Sequence, residues 1–203
     1  MSPKTFILIG RSGCGKGTQG KLLQEKLVAA DPSGRVFYHE MGARFREFIQ
    51  KPSHTSALSK AVYERDDRQP DFLAVWIWSD IFVENLQGDE HLFIDGTPRS
   101  LPEAQVLDTA LNFYGRKAKV IFLNVSRDWS KERLLARGRF DDANTERINK
   151  RLDWFDRDVL PAVEYFKQNA ISQPEKYAFF DINGEQPIEK VHADIIDELS
   201  PLV

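Results

Sequence analysis

The chain has 203 residues, 41% of them hydrophobic, which is enough for one well-buried α/β domain and too few for a second full domain. Its net charge of −3 and isoelectric point near 5.9 give no overall attraction to nucleic acid or anionic membranes. The single cysteine, Cys14, excludes an intrachain disulfide and a cysteine zinc cluster. No apolar run approaches the roughly 20 residues that cross a bilayer. From these observations together we expect one cytoplasmic domain over residues 1–203, with neither nucleic acid nor membrane as partner.

Short β-type runs alternate with longer helical patterns along the chain. The runs are TFILI, VFYH, HLFID, KVIFLNV and YAFFDI. This alternation predicts an α/β fold in which a five-stranded parallel sheet is flanked by helices on both faces. The segment from Gly42 to about Arg68 has helical periodicity that is interrupted at Pro52, so we expect a helical insertion outside the sheet.

The first β-type run leads into the stretch GRSGCGKGT, in which Gly10, Gly15 and Lys16 fit the pattern GxxxxGK. Glycines let the backbone curl so that its N–H groups point at phosphate oxygens, while the following helix and Lys16 add positive charge. The motif predicts a phosphate-binding loop and a P-loop NTPase fold, the alternative being a glycine-rich turn without chemical use. Thr18 stands one place later than the usual metal-touching hydroxyl, and Cys14 is expected to be a small filling residue.

The stretch HLFIDGTPR places Asp95 at the carboxyl end of a predicted strand. Ligands of open parallel sheets bind beyond this end of the strands, where Asp95 and the phosphate loop are expected to meet. A carboxylate there suits Mg²⁺, directly or through water. The alternative is that Asp95 only caps the next turn.

Four arginines follow the predicted fourth strand. Arg133 and Arg137 share one helix face at a spacing of four, Arg139 follows in a short loop, and Arg151 lies in the next helix. The alternative is that these arginines only form a solvent-exposed helix face, as exposed arginines commonly do. Beside a phosphate loop they predict a set of guanidinium groups that neutralises the charge of a transferring phosphoryl group.

Together these motifs resemble those of the adenylate kinases, and more broadly the nucleoside monophosphate (NMP) kinases of that fold, in the same order along nearly the whole chain. GRSGCGKGTQ is similar to the family's GKGT segment, DGTPR to its DGFPR, and RLLARGRFDD with KRL to its lid region. The resemblance implies a monomeric enzyme that moves the γ-phosphoryl of ATP to an NMP, with AMP as first choice (ATP + AMP = 2 ADP), and uses Mg²⁺. It also implies an NMP-binding subdomain at about 38–71 and a very short lid at about 137–144.

The resemblance further implies a role for each candidate residue. Arg99 and Arg46 are expected to hold the acceptor phosphate, Asp95 to hold magnesium through water, and Thr18 to contact the metal. The expected catalytic residues are Lys16, Arg99, Arg133, Arg137, Arg139 and Arg151. The expected nucleotide-binding residues are Gly10, Ser12, Gly13, Cys14, Gly15, Lys16, Gly17, Thr18, Met41, Gly42, Arg46, Gln69, Arg99, Glu103 and Gln186.

Several residues near the expected acceptor site depart from the family pattern. Thr97 replaces the phenylalanine of DGFPR, Met41 stands where threonine or serine is common, and RDDRQPD lacks the glycine often found before the family's VPD. The loop between Arg137 and Asp141 is shorter than in the family's short lids, and a zinc lid is excluded because its four cysteines are absent.

Glu103 takes the place of a glutamine that bonds the AMP base in adenylate kinases. An ionised carboxylate only accepts hydrogen bonds, so it matches the two adjacent donors of guanine better than the donor and acceptor of adenine, whereas a protonated one restores the adenine match. Two alternatives therefore stay open: GMP or another NMP as acceptor, and a catalytically inactive nucleotide-binding regulatory protein of the same fold.

Overall fold

The fold is that of a computed structural model, which describes residues 2–137 and 145–200. Within these ranges the strands form one parallel sheet with the order β2-β3-β1-β4-β5. The strands are β1 (Thr5–Gly10), β2 (Val36–Glu40), β3 (His91–Asp95), β4 (Ala118–Asn124) and β5 (Tyr177–Asn183). Each run that the alternation marked as β-type is a strand, and the five-stranded parallel sheet is confirmed.

Helices connect the strands and cover the sheet. They are α1 (Lys16–Ala30), α2 (Met41–Phe48), α3 (His54–Glu64), α4 (Asp71–Asn85), α5 (Leu101–Phe113), α6 (Arg127–Arg137), α7 (Thr145–Trp154), α8 (Leu160–Ser172) and α9 (Ile188–Leu199). One π-helical turn, Phe155–Val159, joins α7 to α8. None of the helices in the described ranges is both long and apolar enough to pass through a membrane.

The core lies on both faces of the sheet, as β1 illustrates. Successive side chains of a strand point to opposite faces, and those of β1 alternate between two separate apolar clusters. Phe6 and Leu8 join the cluster that includes residues of α1 and α9. Ile7 and Ile9 join the cluster that includes residues of α4, α5 and α8. Because both faces are covered, the central strands read as continuous apolar runs.

The strand order fixes where a ligand can bind. From β1 the chain crosses to β2 and β3 on one side, and then to β4 and β5 on the other. The order reverses beside β1, and the carboxyl ends of β1, β3 and β4 therefore border a crevice. The phosphate loop leaves β1 at this point, and Asp95 is the last residue of β3.

The predicted helical insertion corresponds to α2 and α3, which are separated by a break that contains Pro52. Ser53 caps α3, because its hydroxyl accepts a hydrogen bond from the Ser56 N–H at 3.1 Å. After α3, Asp66 has a φ of 56°, a left-handed conformation that aspartate tolerates better than most residues. The turn lies in the segment RDDRQPD, where the family often has a glycine and this sequence has none.

Two ion pairs join this turn to α7. Arg147 Nε lies 2.5 Å from Asp66 Oδ2, and Lys150 Nζ lies 2.7 Å from Asp67 Oδ1. We call these two pairs the turn clasp. It holds the end of the α2–α3 insertion against the helix that follows residues 138–144. Those residues, which include most of the expected lid and Arg139, are outside the described part of the chain.

A buried ion pair lies at the amino ends of β3 and β4, at the opposite end of the strands from the crevice. Glu90, just before β3, accepts hydrogen bonds from the Arg116 guanidinium and from the backbone N–H groups of Gln87 and Gly88. The side chains of Glu90 and Arg116 are 3% and 6% exposed. Since both charges are desolvated, each depends on the other for compensation.

Glu90→Ala is therefore expected to lower the free energy of unfolding by about 3 kcal/mol, because Arg116 is left buried without its carboxylate. Urea denaturation measures the loss. The matched control is Asp89→Ala, which removes a carboxylate whose pair with Arg35 is more than half exposed on both sides and which should cost far less. Equal losses in the two variants would contradict the assignment.

Candidate active site

A cleft of about 950 Å³ opens at the carboxyl ends of β1 and β3. Most of the expected site residues line it: Ser12, Gly13, Cys14, Gly15, Lys16, Gly17, Thr18, Gly42, Arg46, Gln69, Asp95, Arg99, Arg133, Arg137, Arg151 and Gln186. Gly10, Met41 and Glu103 are not on its wall. Arg139 lies outside the described residues. The fold thus brings the expected basic side chains together in one cleft from five separate segments of the chain.

The phosphate loop is shaped by glycines and by its contact with β4. Gly13 and Gly15 have φ values of 85° and 98°, a left-handed conformation that glycine adopts without steric cost. A Cβ on Gly10 would lie only 2.6 Å from the Leu123 carbonyl oxygen and 2.7 Å from Cys14 Sγ. Cys14 is 6% exposed, so the thiol fills the space beneath the loop.

Lys16 is held inside this loop. Its Nζ donates hydrogen bonds to the carbonyl oxygens of Gly10 and Arg11, at 2.7 and 3.0 Å. The side chain lines the cleft, and its ammonium group can rotate from these carbonyl oxygens to phosphate oxygens. The N-terminus of α1 begins at the same residue, so its dipole adds to the positive potential at the loop.

Asp95 lies against the phosphate loop. Its Oδ2 accepts a hydrogen bond from the Tyr38 hydroxyl at 3.0 Å, and a Cβ on Gly17 would be 3.9 Å from the same oxygen. Burial raises the pKa of Asp95, against the opposing effects of the Lys16 charge and the Tyr38 hydrogen bond. A buried carboxylate with a raised pKa is stabilised by an approaching cation, which fits a role beside Mg²⁺.

Arg46 of α2 and Arg99, which follows β3, converge at Gly42. A Cβ on Gly42 would lie 3.1 Å from Arg46 Nη1 and 3.8 Å from Arg99 Nη2. Arg46 also donates to Glu40 Oε1 at 3.0 Å, and Arg99 Nε donates to the Gly96 carbonyl at 2.8 Å. These contacts orient the two guanidinium groups towards one region, which suits an anion that both can bind.

A second group of arginines borders the cleft from α6 and α7. Arg133 and Arg137 belong to α6, and Arg151 belongs to α7. The Arg133 guanidinium lies 4.5 Å from the centroid of the Trp129 ring, a cation–π distance. The two helices are packed together by a small apolar cluster of Leu134, Ile148 and Leu152.

Two expected nucleotide-binding residues use their amide groups within the protein. Gln69 accepts a hydrogen bond from the Ser59 hydroxyl and donates one to the Ser59 carbonyl, both at 2.9 Å. Gln186 Nε2 donates to the Asn183 carbonyl and to Asp194 Oδ2, both at 2.9 Å. Their side-chain amides therefore hold the wall of the cleft in place.

Glu103 is fully buried behind this wall. Its Oε2 accepts a hydrogen bond from the backbone N–H of Arg99 at 2.6 Å, and its own N–H donates to Ser100, the N-cap of α5. Burial raises the pKa of Glu103 to about 7, although the hydrogen bond from Arg99 and the positive charge of that residue act in the opposite direction. Near neutral pH the carboxyl is therefore protonated in part of the molecules.

Other residues of the cleft were not singled out from the sequence. They include aromatic or charged side chains of the insertion and of α6 and α7: Phe45, Tyr63, Asp66, Asp67, Arg68, Trp129 and Trp154. Trp154 is 5.9 Å from the Arg99 guanidinium. Arg68 pairs with Asp71 and Asp158, at 2.5 and 3.3 Å. Residues 64–68, with the sequence ERDDR, form a charged cluster that is recognisable in the sequence. Nothing in the local sequence indicates which of these side chains face the cleft.

The raised pKa of Glu103 generates a pH prediction. The carboxyl has an ordinary pKa of 4.5 in the unfolded chain, so between about pH 4.5 and 7 the folded protein binds the proton more tightly. Its contribution to stability is present below this window and is lost as the pH rises through it. Glu103→Gln should match wild type at pH 5 and exceed it by on the order of 2 kcal/mol at pH 8, as measured by urea denaturation. The exposed Glu84→Gln is the control, and a pH-independent difference in Glu103→Gln would refute the prediction.

Comparisons with known proteins agree with this site. A sequence model of the family described as adenylate kinase matches residues 8–171. An adenylate kinase of Flavobacterium psychrophilum is 29% identical over 199 residues, covering 96% of this chain and 98% of that protein. Adenylate kinases of Porphyromonas gingivalis and Prochlorococcus marinus are 28% and 26% identical, and they cover 95% and 97% of this chain and 95% and 99% of their own lengths. The matched segment includes the phosphate loop, Asp95 and the described cleft arginines, and the chain belongs to the adenylate kinase family.

Proposed function

We propose that this protein transfers the γ-phosphoryl group of ATP to AMP, giving two molecules of ADP. The observation that carries the proposal is the single cleft into which the phosphate loop, Asp95 and five arginines converge: Arg46, Arg99, Arg133, Arg137 and Arg151. A protein that only binds nucleotides has no need of so many cations around one phosphoryl group. The adenylate kinase names of the relatives support AMP as the acceptor.

In this reaction an oxygen of the AMP phosphate attacks the γ-phosphorus of ATP. A phosphorus–oxygen bond forms there, and the bond to the oxygen that bridges the β- and γ-phosphates breaks, leaving its electron pair on ADP. No side chain acts as the nucleophile. The protein holds the two anions in line, excludes water and stabilises the charge on the transferring group.

The chain divides these tasks among three groups of residues in the cleft. Lys16 and the backbone N–H groups of the phosphate loop bind the donor phosphates. Arg46 and Arg99 bind the phosphate of AMP through their paired guanidinium groups. The arginines of α6 and α7 stabilise the oxygens of the γ-phosphoryl as it moves.

The cleft also fits Mg²⁺. This ion keeps several waters and takes one or two carboxylates with the substrate phosphates, so a complete protein cage is not required. Asp95 would hold it through water, and Thr18 at the start of α1 would supply a second oxygen ligand. When bound, the ion neutralises charge on the β- and γ-phosphates.

Residence in the cytoplasm and a monomeric state stay predictions.

Lys16→Met should test the proposal directly. The variant keeps a side chain of similar length but loses the ammonium group, so ADP formation from ATP and AMP should fall at least about 100-fold. A coupled assay for diphosphates measures the rate in wild type and variant, and circular dichroism checks that the variant is folded.

The assay is run over AMP, GMP, CMP and UMP with wild type. Turnover of AMP supports the proposal, whereas no diphosphate from any acceptor would instead support an inactive nucleotide-binding protein. Near wild-type turnover in the folded Lys16→Met variant would show that the phosphate loop is misassigned.

Glu103 generates a separate prediction about the base. If its carboxyl approaches the base when the nucleotide is bound, a neutral amide that both donates and accepts should favour adenine. Glu103→Gln is expected to raise the ratio of kcat/KM for AMP to that for GMP roughly tenfold, since one mismatched polar contact costs about 1–3 kcal/mol. Glu84→Gln is the control. An unchanged ratio would show that Glu103 does not contact the base and contacts only the backbone of Arg99 there.

A further inference from the structure

Arg11 is an unusual residue for the interior of a phosphate loop, since it carries a charge between two small residues. Its side chain is 13% exposed and does not line the cleft. The guanidinium therefore points away from the substrates, towards the body of the protein. A buried cation in this place requires specific partners, and the contacts of Arg11 identify them.

Three contacts hold the Arg11 side chain. Nη1 donates to the carbonyl oxygen of Val125, just after β4, at 2.7 Å. Nη2 donates to Asp156 Oδ1 at 2.5 Å. The guanidinium also lies 4.8 Å from the centroid of the Phe155 ring, within cation–π range. One planar side chain thus ties the phosphate loop to the end of β4 and to the π-helical turn.

Asp156 extends this connection to α6. Its second oxygen, Oδ2, accepts a hydrogen bond from Arg127 Nη1 at 2.5 Å, and Arg127 Nη2 donates to Asp153 Oδ1 at 2.6 Å. Arg127 is the first residue of α6, and Asp153 belongs to α7. The network therefore joins the loop to both helices that present phosphate-facing arginines: Arg133, Arg137 and Arg151.

The backbone of Arg11 forms part of the inner surface of the loop. Its carbonyl oxygen accepts hydrogen bonds from Lys16 Nζ at 3.0 Å and from the Cys14 N–H at 3.2 Å. Any displacement of Arg11 would move the groups around Lys16. The side chain of Arg11 is thus coupled to the arginines of α6 and α7, while its main chain is coupled to the donor-phosphate site.

We propose that Arg11 is a positioning residue, which fixes the phosphate loop relative to the arginines of α6 and α7 through Val125, Phe155 and Asp156. This role rests on the proposed phosphoryl transfer. The loop and Lys16 can still bind ATP when Arg11 is removed, but the arginines no longer meet the γ-phosphoryl in line with the acceptor. Such a loss lowers kcat while the KM for ATP changes little.

The test compares wild type with Arg11→Ala, Asp156→Ala and the double variant. We expect kcat per folded molecule to fall at least fivefold in Arg11→Ala, with the KM for ATP within threefold of wild type. Because the two residues share an ion pair within one connected network, the double variant should be no slower than the slower single variant by more than about twofold. Arg11→Lys keeps the charge but lacks the two-pronged fork, and its kcat should lie between those of wild type and Arg11→Ala.

Arg35→Ala is the matched control, because Arg35 also pairs with an aspartate but lies outside the cleft; its kcat should stay within twofold of wild type. Melting temperatures and circular dichroism give the folded fraction of each variant, so that reduced stability is separated from slower turnover. A smaller loss of kcat in Arg11→Ala, a loss confined to KM, or independent effects of the two substitutions would overturn the inference. An inactive wild type would instead overturn the proposed function itself.

Discussion

The close contact between the phosphate loop and the end of β4 is the constraint on which the rest of the site depends. No side chain fits at Gly10 between the Leu123 carbonyl and Cys14, so the loop has to pass close to the carboxyl end of β4. This path brings Gly17, at the start of α1, next to Asp95 at the end of β3. The positions of the phosphate loop and of Asp95 are thereby set by the packing of the sheet rather than by mobile side chains.

Oriented cations are a second feature of the site, and three of the arginines are each held by a specific contact. Arg46 is held by Glu40, Arg99 by the Gly96 carbonyl, and Arg133 by the face of Trp129. Donors that are already oriented stabilise a developing charge without reorganising during the reaction. The overall net charge of −3 therefore conceals a cleft in which basic side chains are concentrated.

Local sequence patterns were sufficient for the sheet, for the phosphate loop and for Asp95, whereas Gly42, Arg46, Gln69 and Gln186 were expected only from the family resemblance. Strand runs, the glycine loop and the position of Asp95 at the end of β3 are all determined by neighbours in the chain. The role of Arg11 was not predictable in this way, since its partner Asp156 is 145 residues further along. The orientation of Glu103 was equally hidden, because the side chain that replaces a base-binding glutamine is bonded to the main chain of Arg99. The π-helical turn interrupts a helical pattern that looks continuous in the sequence.

The turn clasp between the insertion and α7 contains one protected and one exposed ion pair. The side chains of Arg147 and Asp66 are 17% and 10% exposed, whereas those of Lys150 and Asp67 are 48% and 40% exposed. Dissolved ions weaken ion pairs between solvent-exposed charges as the salt concentration rises, and they affect buried pairs much less. As salt concentration rises, the clasp therefore weakens first at Lys150 while Arg147 still holds the turn, so the hold of α7 on the insertion decreases in stages.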